Sequence, residues 1–380
     1  MAFKKVNVGL IGCGNISSTY LKVAPKWESF KVVGCADRIP ERAQLRAKQF
    51  GLKLYRSNEE MLADPKIEII LNLTTPADHF EVAMAALQAG KNVHGEKPMA
   101  VKLADGKKML ATAKQSNLRI GGAPDTFLGA GIQTCRKLLD DGAIGEPVGA
   151  SAFMLCSGHE RWHPGPEFYY KVGGGPMFDM GPYYLTALIS LLGPVKRVTG
   201  SAKISFAERT IQSKEKYGQK IKVEVPTHVT GLLDFANGAV ATVVMSFDVC
   251  ASFGKSDITN QPGANQVPFV EIYGSEGTIT VPDPNCFGGP VFLTMNGKRR
   301  SIKLTHGYAD ENRSIGVADL AYALRSGRPH RAKGNMTYHV LEIMHAIHTS
   351  SKEGRHVELS SSCSRPEPLP TGLREGTLDE

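Results

Sequence analysis

The residues with the clearest chemical purpose are glycines near the N-terminus. Residues 12–17 read GCGNIS and depart from the phosphate-binding pattern G-x-G-x-x-G only at the last position, where serine is still small. The first glycine permits a tight turn, the second lets the backbone approach a pyrophosphate, and a following helix offers free N–H groups. We therefore expect a dinucleotide to bind at this turn. The expected contacts are Gly12, Gly14, Asn15 and Ile16.

An acidic residue follows the second strand-like segment. Asp37 stands at the distance from the glycines that suits a carboxylate bound to the two hydroxyls of a ribose. Such a carboxylate repels a 2′-phosphate and favours NAD, whereas the neighbouring Arg38 could pair with that phosphate and admit NADP. We predict NAD as the cofactor, with NADP as the alternative. A second alternative for Asp37 is that it only caps the turn.

These residues need a scaffold that brings strand ends together. Apolar runs that predict strands alternate with helical patterns at residues 78–89 and 103–114. The strands are expected at residues 5–11, 31–36, 67–73, 92–94 and 118–121. Such alternation predicts an α/β Rossmann domain with a doubly wound parallel sheet over residues 1–124.

The pattern changes after residue 147, where strand-like segments dominate and turns such as Asn237-Gly238 are typical of hairpins. The segments lie at residues 148–155, 222–235, 240–247 and 270–273. We predict an α+β domain over residues 125–359 with an open, mostly antiparallel sheet. Helices at residues 316–325 and 336–352 are expected to close this domain. Residues 360–380 are predicted to form an extended or loosely ordered tail.

Composition argues against several classes of protein. The chain has 380 residues, enough for two domains, and its 42% hydrophobic and 22% charged residues are typical of a folded globular protein. The net charge of +8 comes from scattered basic residues rather than a basic stripe, and no apolar run is long enough for a membrane helix. Seven cysteines without a C-x-x-C pair indicate a reducing compartment. We expect a cytoplasmic protein with no metal site, no nucleic-acid partner and no membrane contact.

Two further segments share their residues and their order with a known family. Residues 72–76 read NLTTP, with a histidine close behind, and residues 89–98 read AGKNVHGEKP. With the glycine loop and a Gly-Gly-Gly run at residues 173–175, they resemble the glucose–fructose oxidoreductase and inositol dehydrogenase (Gfo/Idh/MocA) family. The resemblance extends from Val6 to near Lys352 and implies an NAD(P)-dependent oxidoreductase. It also implies cofactor contacts by Thr74, Thr75, Pro76, His79, Glu96 and Lys97.

Lys97 is the residue best suited to the chemical step. It follows the predicted strand at residues 92–94, at the end of a parallel strand where such sheets bind ligands. An ammonium there can hydrogen-bond the reacting oxygen and stabilise an alkoxide before a hydride departs. The alternative is a surface lysine paired with Glu96.

Position 183 departs from the family pattern. Relatives commonly carry Asp-x-Gly-x-His, whose histidine is the proposed acid or base, but residues 179–183 here read DMGPY. A tyrosine serves as a base only if a neighbour such as a lysine stabilises its phenolate. Lys97 is then either the partner of Tyr183 or the base itself, and a third alternative is that Tyr183 only packs at the start of a helix. The predicted catalytic set is Lys97, Asp179 and Tyr183.

Two loops are expected to contact the substrate. Asp125 and Phe127 lie where many relatives have an arginine-rich loop, so a neutral polyhydroxy compound suits the site better than a phosphate or carboxylate. Residues 159–163 read HERWH and match the zinc motif H-E-x-x-H, but nearby glycine and proline residues disfavour the helix that this motif requires. The side chains expected to contact a sugar from this loop are Arg161, Trp162 and His163. Simple loop packing is the alternative for these three.

Together these features predict transfer of a hydride between NAD(H) and a secondary hydroxyl or keto group of a sugar, glycoside or cyclitol. One alternative is an NAD-dependent glycosidase or eliminase that oxidises its substrate only transiently. Another is a sugar sensor that binds NAD without turnover. The family resemblance also implies a homodimer or homotetramer.

Overall fold

The structure is a computed structural model of the 380-residue chain, and it describes residues 4–249 and 267–379. The described residues form seventeen strands and ten α-helices. The strands are β1 (Val6–Ile11), β2 (Phe30–Ala36), β3 (Lys53–Leu54), β4 (Ile69–Asn72), β5 (Asn92–Gly95), β6 (Ile120–Gly122), β7 (Pro147–Leu155), β8 (Val195–Lys203), β9 (Glu208–Thr210), β10 (Lys220–Lys222), β11 (His228–Phe235), β12 (Val240–Ser246), β13 (Val270–Gly274), β14 (Gly277–Val281), β15 (Val291–Met295), β16 (Lys298–Ile302) and β17 (Val357–Glu358). The helices are α1 (Asn15–Val23), α2 (Pro40–Phe50), α3 (Asn58–Leu62), α4 (His79–Gln88), α5 (Leu103–Gln115), α6 (Ala130–Asp140), α7 (Gly175–Asp179), α8 (Gly181–Leu192), α9 (Ile315–Ser326) and α10 (Gly334–Glu353).

The chain divides into two compact units, of which the first comprises Met1–Gly129, Thr305–Tyr338 and Pro366–Glu380. Its sheet has six parallel strands in the order β3-β2-β1-β4-β5-β6, and α1 to α5 connect consecutive strands. The central strand β1 has a mostly apolar sequence, VNVGLI, and is buried almost throughout. This is expected for a strand of a parallel sheet that helices cover on both faces. The predicted doubly wound Rossmann fold is confirmed.

The strand register places the candidate cofactor residues at one edge of this sheet. Ile11 of β1 pairs with Ala36 of β2 and with Asn72 of β4, and Asn72 pairs in turn with Gly95 of β5. The carboxyl ends of four neighbouring strands therefore stop at the same level. The loops that follow them begin with the residues singled out in the sequence.

The first unit also includes segments from the end of the chain. Helix α9 belongs to it, whereas the sequence pattern assigned residues 316–325 to the second domain. The indole Nε1 of Trp27 donates to Ser314 Oγ, 3.1 Å away, just before α9 begins. The tail, predicted to be loose, is packed instead: Leu378 is buried, and Arg328 Nε donates to Asp379 Oδ2 at 2.7 Å. These contacts join residues roughly 290 positions apart or lie in a segment without periodicity, so local pattern could not reveal them.

The second unit comprises Ala130–Leu304 and His339–Arg365. Nine of its eleven described strands form one sheet in the order β16-β15-β14-β13-β7-β12-β11-β8-β17, and β9 and β10 form a separate antiparallel pair. Seven of the eight neighbouring pairs among the described strands of the nine-stranded sheet are antiparallel, and the β7–β12 pair is parallel. The predicted open, mostly antiparallel sheet is confirmed. The single strand-like segment predicted at residues 222–235 is divided into β10 and β11, with Pro226 between them.

Helix α8 is buried along its whole length, because its sequence GPYYLTALISLL is apolar on every side. Met180 separates it from the short helix α7, which ends at Asp179. The end of α7 and the first turn of α8 are thereby fixed in position by a rigid element. Both carry candidate catalytic residues.

Candidate active site

The glycine loop after β1 has the geometry that phosphate binding requires. Gly12 has φ = +100°, and a Cβ atom there would lie 2.5 Å from the carbonyl carbon of Leu73, so no other residue fits without a shift. A Cβ atom on Gly14 would meet nothing within 4 Å, which leaves this part of the backbone open to approach. Helix α1 begins at Asn15, and Ser17 Oγ donates to Gly14 O at 2.6 Å. The open glycine and the helix N-terminus together form a cradle suited to an anion.

Asp37 holds this loop through its carboxylate. Oδ2 accepts a hydrogen bond from Cys13 N at 2.6 Å, and Oδ1 accepts one from Ile39 N at 2.8 Å. The turn-capping role considered for Asp37 is therefore present, and each oxygen keeps a further lone pair for a ribose hydroxyl. The neighbouring Arg38 is exposed and pairs with Asp78 at 3.2 Å, at the start of α4.

The loop after β4 is tied to the loop after β5 by a buried histidine. The ring nitrogens of His79 lie 2.7 Å from Pro98 O and 3.1 Å from Thr74 O, and burial lowers the pKa of this imidazole. Asn72 contributes a second tie, since its Oδ1 accepts from Thr74 Oγ1 at 2.6 Å. His79 is buried between two carbonyl groups and supports the loops that carry Thr74 and Pro98. It therefore has little surface left for the direct cofactor contact that the sequence predicts. Thr75 Oγ1 donates to Asp78 Oδ2 at 2.6 Å.

Glu96 and Lys97 follow β5 directly and share the edge of the sheet with the glycine loop. The Glu96 carboxylate accepts from Tyr20 OH at 2.7 Å and from Lys97 N at 3.0 Å. The Lys97 side chain is half-buried, and Pro98 is buried behind it. The carboxylate is thus held by a phenol and a backbone amide, and the lysine stands at the carboxyl end of a parallel strand, where ligands bind in such sheets.

Asp125 and Phe127, which the sequence predicts as substrate contacts, are both buried. Asp125 is 1% exposed, and its Oδ2 accepts from Gly316 N at 2.9 Å and Ser314 N at 3.1 Å, at the start of α9. Burial raises the pKa of this carboxyl group to about 6. Phe127 is also buried. Neither side chain has a surface to offer a substrate, so both assignments as substrate contacts are withdrawn.

A second group of polar side chains lies in the second unit. Asp179 Oδ2 lies 3.1 Å from Nε2 of His159, and the two side chains are 15% and 14% exposed. Tyr183 is buried in the first turn of α8, where its backbone N–H donates to Met180 O at 3.0 Å. The sequence predicted Asp179 and Tyr183 here but not the pairing of Asp179 with His159.

The H-E-x-x-H segment is a single turn of 3₁₀ helix rather than the two helical turns of a zinc site. His159–Arg161 form this turn, and Glu160 is buried in an ion pair with Arg209 at 2.7 Å. Between residues 4 and 249 and between 267 and 379, no three His, Cys, Asp or Glu side chains are grouped so that they could hold a metal ion. Glu160 is therefore engaged as a structural anion.

Aromatic rings surround His159. Its ring centroid lies 4.5 Å from that of Phe247, 4.6 Å from Tyr169 and 5.3 Å from Trp162. Of the three predicted sugar contacts in this loop, Trp162 and Arg161 are exposed. The third, His163, is half-buried, and its Nδ1 accepts from Gly165 N at 3.0 Å. An exposed indole beside polar groups can stack on the apolar face of a sugar ring.

Two sequence profiles match the chain. One, described as an oxidoreductase family with an NAD-binding Rossmann fold, matches residues 6–122, and the other, described as the Gfo/Idh/MocA C-terminal domain, matches residues 132–280. Levoglucosan dehydrogenase of Pseudarthrobacter phenanthrenivorans is 27% identical over 304 residues, which are 73% of each chain. D-Apiose dehydrogenase of Paraburkholderia graminis is 25% identical over 94% of this chain and 91% of its own.

Solved structures share the fold over nearly the whole chain. A levoglucosan dehydrogenase in complex with NADH and L-sorbose superposes with a TM-score of 0.78 at 23% identity, covering 94% of this chain and 99% of the other. Among the described residues, no helix is both long enough and apolar enough to cross a membrane.

Proposed function

Because this chain belongs to the Gfo/Idh/MocA family of oxidoreductases with an NAD-binding Rossmann fold, we propose that it oxidises a secondary hydroxyl group of a sugar, glycoside or cyclitol, or reduces the matching ketone. The observation that carries this proposal is the position of Lys97. It follows β5 at the same edge of the parallel sheet as the open glycine loop after β1. A cofactor-binding loop and an ammonium group at one edge suit hydride transfer, because the ammonium can bond the reacting oxygen near the cofactor.

The described residues fit NAD. The free space above Gly14 and the N-terminus of α1 suit the pyrophosphate, and the Asp37 carboxylate suits the ribose hydroxyls. NAD, when bound, supplies the hydride acceptor. The positions of Thr74 and Glu96 on neighbouring loops support their roles as further contacts, as does that of Arg38 for the alternative cofactor NADP.

Lys97 is proposed to donate a hydrogen bond to the reacting oxygen and to stabilise the alkoxide that forms as the proton leaves. Asp179 is proposed to orient the substrate, because a carboxylate accepts hydrogen bonds from vicinal hydroxyl groups. The exposed Trp162 is proposed to stack on the sugar ring, with Arg161 and His163 as polar neighbours. These side chains suit a neutral polyhydroxy substrate. The buried Asp125 has no part in this proposal.

The test is a screen of NAD reduction with pyranoses, pyranosides and inositols. We expect the NADH absorbance to rise with at least one compound, and Lys97→Ala to lower kcat about a hundredfold or more with little change in NADH affinity measured by fluorescence. Lys114→Ala, on helix α5, is the matched control and should keep its activity. Cleaved glycoside without accumulated NADH would instead identify a transient-oxidation glycosidase. Binding without any turnover would identify a sensor.

We further propose a homodimer or homotetramer that works in the cytoplasm, on the strength of the family resemblance and of thiols such as Cys13 and Cys35, which are not in disulfides. Sedimentation equilibrium measures the oligomeric state directly. A monomer across the micromolar range would contradict the first part of this proposal.

A further inference from the structure

We propose that His159, held by Asp179, takes the proton of the substrate hydroxyl group and so replaces the histidine that position 183 lacks. This inference rests on the proposed function. It assigns a catalytic residue to the second unit, where the sequence offered a tyrosine.

The contact between the two side chains fixes which ring nitrogen can act. A carboxylate only accepts hydrogen bonds, so Nε2 of His159, 3.1 Å from Asp179 Oδ2, carries the ring proton. The lone pair of the neutral ring is then on Nδ1. An aspartate that holds one nitrogen of an imidazole in this way orients the ring and stabilises the imidazolium after proton transfer. Asp179 and His159 therefore have the arrangement of an oriented base.

The loop that carries His159 is anchored on both sides of the histidine. The Arg209 guanidinium donates to Ser157 O at 2.8 Å and to Glu160 Oε1 at 2.9 Å, and it also donates to Asp248 Oδ1 at 2.8 Å. The Arg209 side chain, which is the anchor of this loop, is only 10% exposed, and its two carboxylate partners are less exposed still. Since Ser157 and Glu160 flank His159, the same cation restrains the chain before and after the imidazole. A base needs such a fixed position to transfer a proton efficiently.

Gly158 shows how closely this loop is packed. It has φ = +96°, and a Cβ atom there would lie 2.2 Å from Glu160 Oε2 and 2.5 Å from Arg209 Nη2. His163 N donates to His159 O at 2.9 Å, which closes the turn. The backbone of His159 is thus set by its neighbours, and the ring is walled by Phe247 and Tyr169.

Several charged and titratable groups lie near His159 among the residues that the structure describes. Asp179 faces it from the end of α7, His163 lies in the same loop with a pKa lowered by burial, and the Glu160 carboxylate is paired with Arg209. The remaining ring contacts, Trp162, Tyr169 and Phe247, are aromatic. The charge that acts on His159 most directly is therefore the carboxylate of Asp179.

The chemical step balances with the family's cofactor. NAD⁺, when bound, would accept the hydrogen of the carbinol carbon with both electrons of its bond. The electrons of the O–H bond would then form the carbonyl, and the proton would go to Nδ1 of His159. The products are a ketone, NADH and a proton, which the imidazolium later releases to water. In this step Tyr183 is not required to take a proton.

The experiment compares His159→Gln and Tyr183→Phe with the wild type, using the polyol that the wild type oxidises fastest. We expect kcat of His159→Gln to fall about a hundredfold or more, with KM and NADH affinity within about threefold, and one limb of the pH profile to disappear. Exogenous imidazole should restore activity to His159→Ala. The loss of kcat in His159→Gln should exceed that in Tyr183→Phe by about tenfold or more. The exposed His356→Gln is the control for the substitution itself and should be unchanged.

A readout independent of turnover is ¹⁵N NMR of the histidine rings, assigned with His159→Gln. The proposal expects an Nε2–H tautomer for His159 that is lost in Asp179→Asn. An Nδ1–H tautomer in the wild type, or normal kcat with an unchanged pH profile in His159→Gln, would overturn it. So would a loss of kcat in Tyr183→Phe as large as that in His159→Gln. If the wild type reduces NAD with no compound of the panel, the proposed function fails and takes this inference with it, whereas an active wild type isolates the question of His159.

Discussion

The guanidinium of Arg209 can be removed while most of the volume of its side chain is kept. Its side chain is 10% exposed and lies between Glu160 and Asp248, which are 4% and 6% exposed, at distances of 2.7 and 2.8 Å. Arg209→Met retains an unbranched apolar stem and deletes the charge. Two buried carboxylates then face no cation, and the loop around His159 loses its anchor.

The cost follows from the burial of the remaining charges. Breaking a buried ion pair by removing one partner costs about 3–5 kcal/mol, because the other charge stays poorly solvated. Two carboxylates lose their cation, but Thr227 Oγ1 still donates to Asp248 Oδ2 at 2.6 Å. We therefore expect the total cost to lie within this range, rather than the doubled cost of two uncompensated charges. The second unit has about 200 residues, a size at which 1 kcal/mol lowers Tm by about 2–4 °C. The expected fall is therefore about 6–20 °C.

Differential scanning calorimetry measures this fall, and Arg197→Met is its matched control in the same unit. Arg197 and Asp234 form an ion pair at 2.7 Å, but their side chains are 41% and 22% exposed, so its loss should cost less than about 1 kcal/mol and lower Tm by less than about 4 °C. We also expect kcat of Arg209→Met to fall at temperatures where the protein is still folded. Equal Tm shifts in the two variants would refute the argument from burial.

Two further predictions concern the first unit. Asp37→Ala should raise the ratio of kcat/KM for NADP to kcat/KM for NAD by about tenfold or more, because it removes ribose hydrogen bonds and a charge that repels the 2′-phosphate. Lower thermal stability with an unchanged ratio would show that Asp37 only caps the turn. Burial and the nearby His330 lower the pKa of His94 from 6.5 to about 3. Between these two pH values the folded state binds fewer protons than the unfolded chain. The free energy of unfolding should therefore fall by about 1.4 kcal/mol for each pH unit as the pH drops through this range. Urea denaturation should show a shallower fall for His94→Leu, and parallel curves for the two proteins would contradict this.

Local pattern was enough to predict the parallel sheet and its cofactor loop. The strands there are apolar runs that end at glycines, and the chemistry of Gly12, Gly14 and Asp37 depends on residues that are close in sequence. For the same reason the amino-acid sequence alone places Lys97 at the end of β5. Each of these inferences needs only the strand that a residue follows.

The rest depends on contacts between distant segments. Asp125 was expected to face a substrate, but its partners are amides 189 and 191 positions away at the start of α9. The sequence singles out His159 only through a zinc motif that the nearby glycine and proline residues disfavour. The carboxylate that pairs with it lies 20 residues later, beyond a loop without periodicity. No local pattern contains either pairing.

The first unit combines Met1–Gly129 with segments from the end of the chain, and this has a consequence for the order in which a newly made protein folds. A ribosome adds about 5–20 residues per second, so α9 emerges roughly 10–40 s after the glycine loop and its sheet are complete. During that interval Asp125 and Trp27 have no partners at residues 314–316. The uninterrupted stretch from Ala130 to Leu304 is available earlier as a whole. The second unit waits as well, because its segment His339–Arg365 emerges after α9, and the first unit receives its last segment, Pro366–Glu380, only at the end of synthesis.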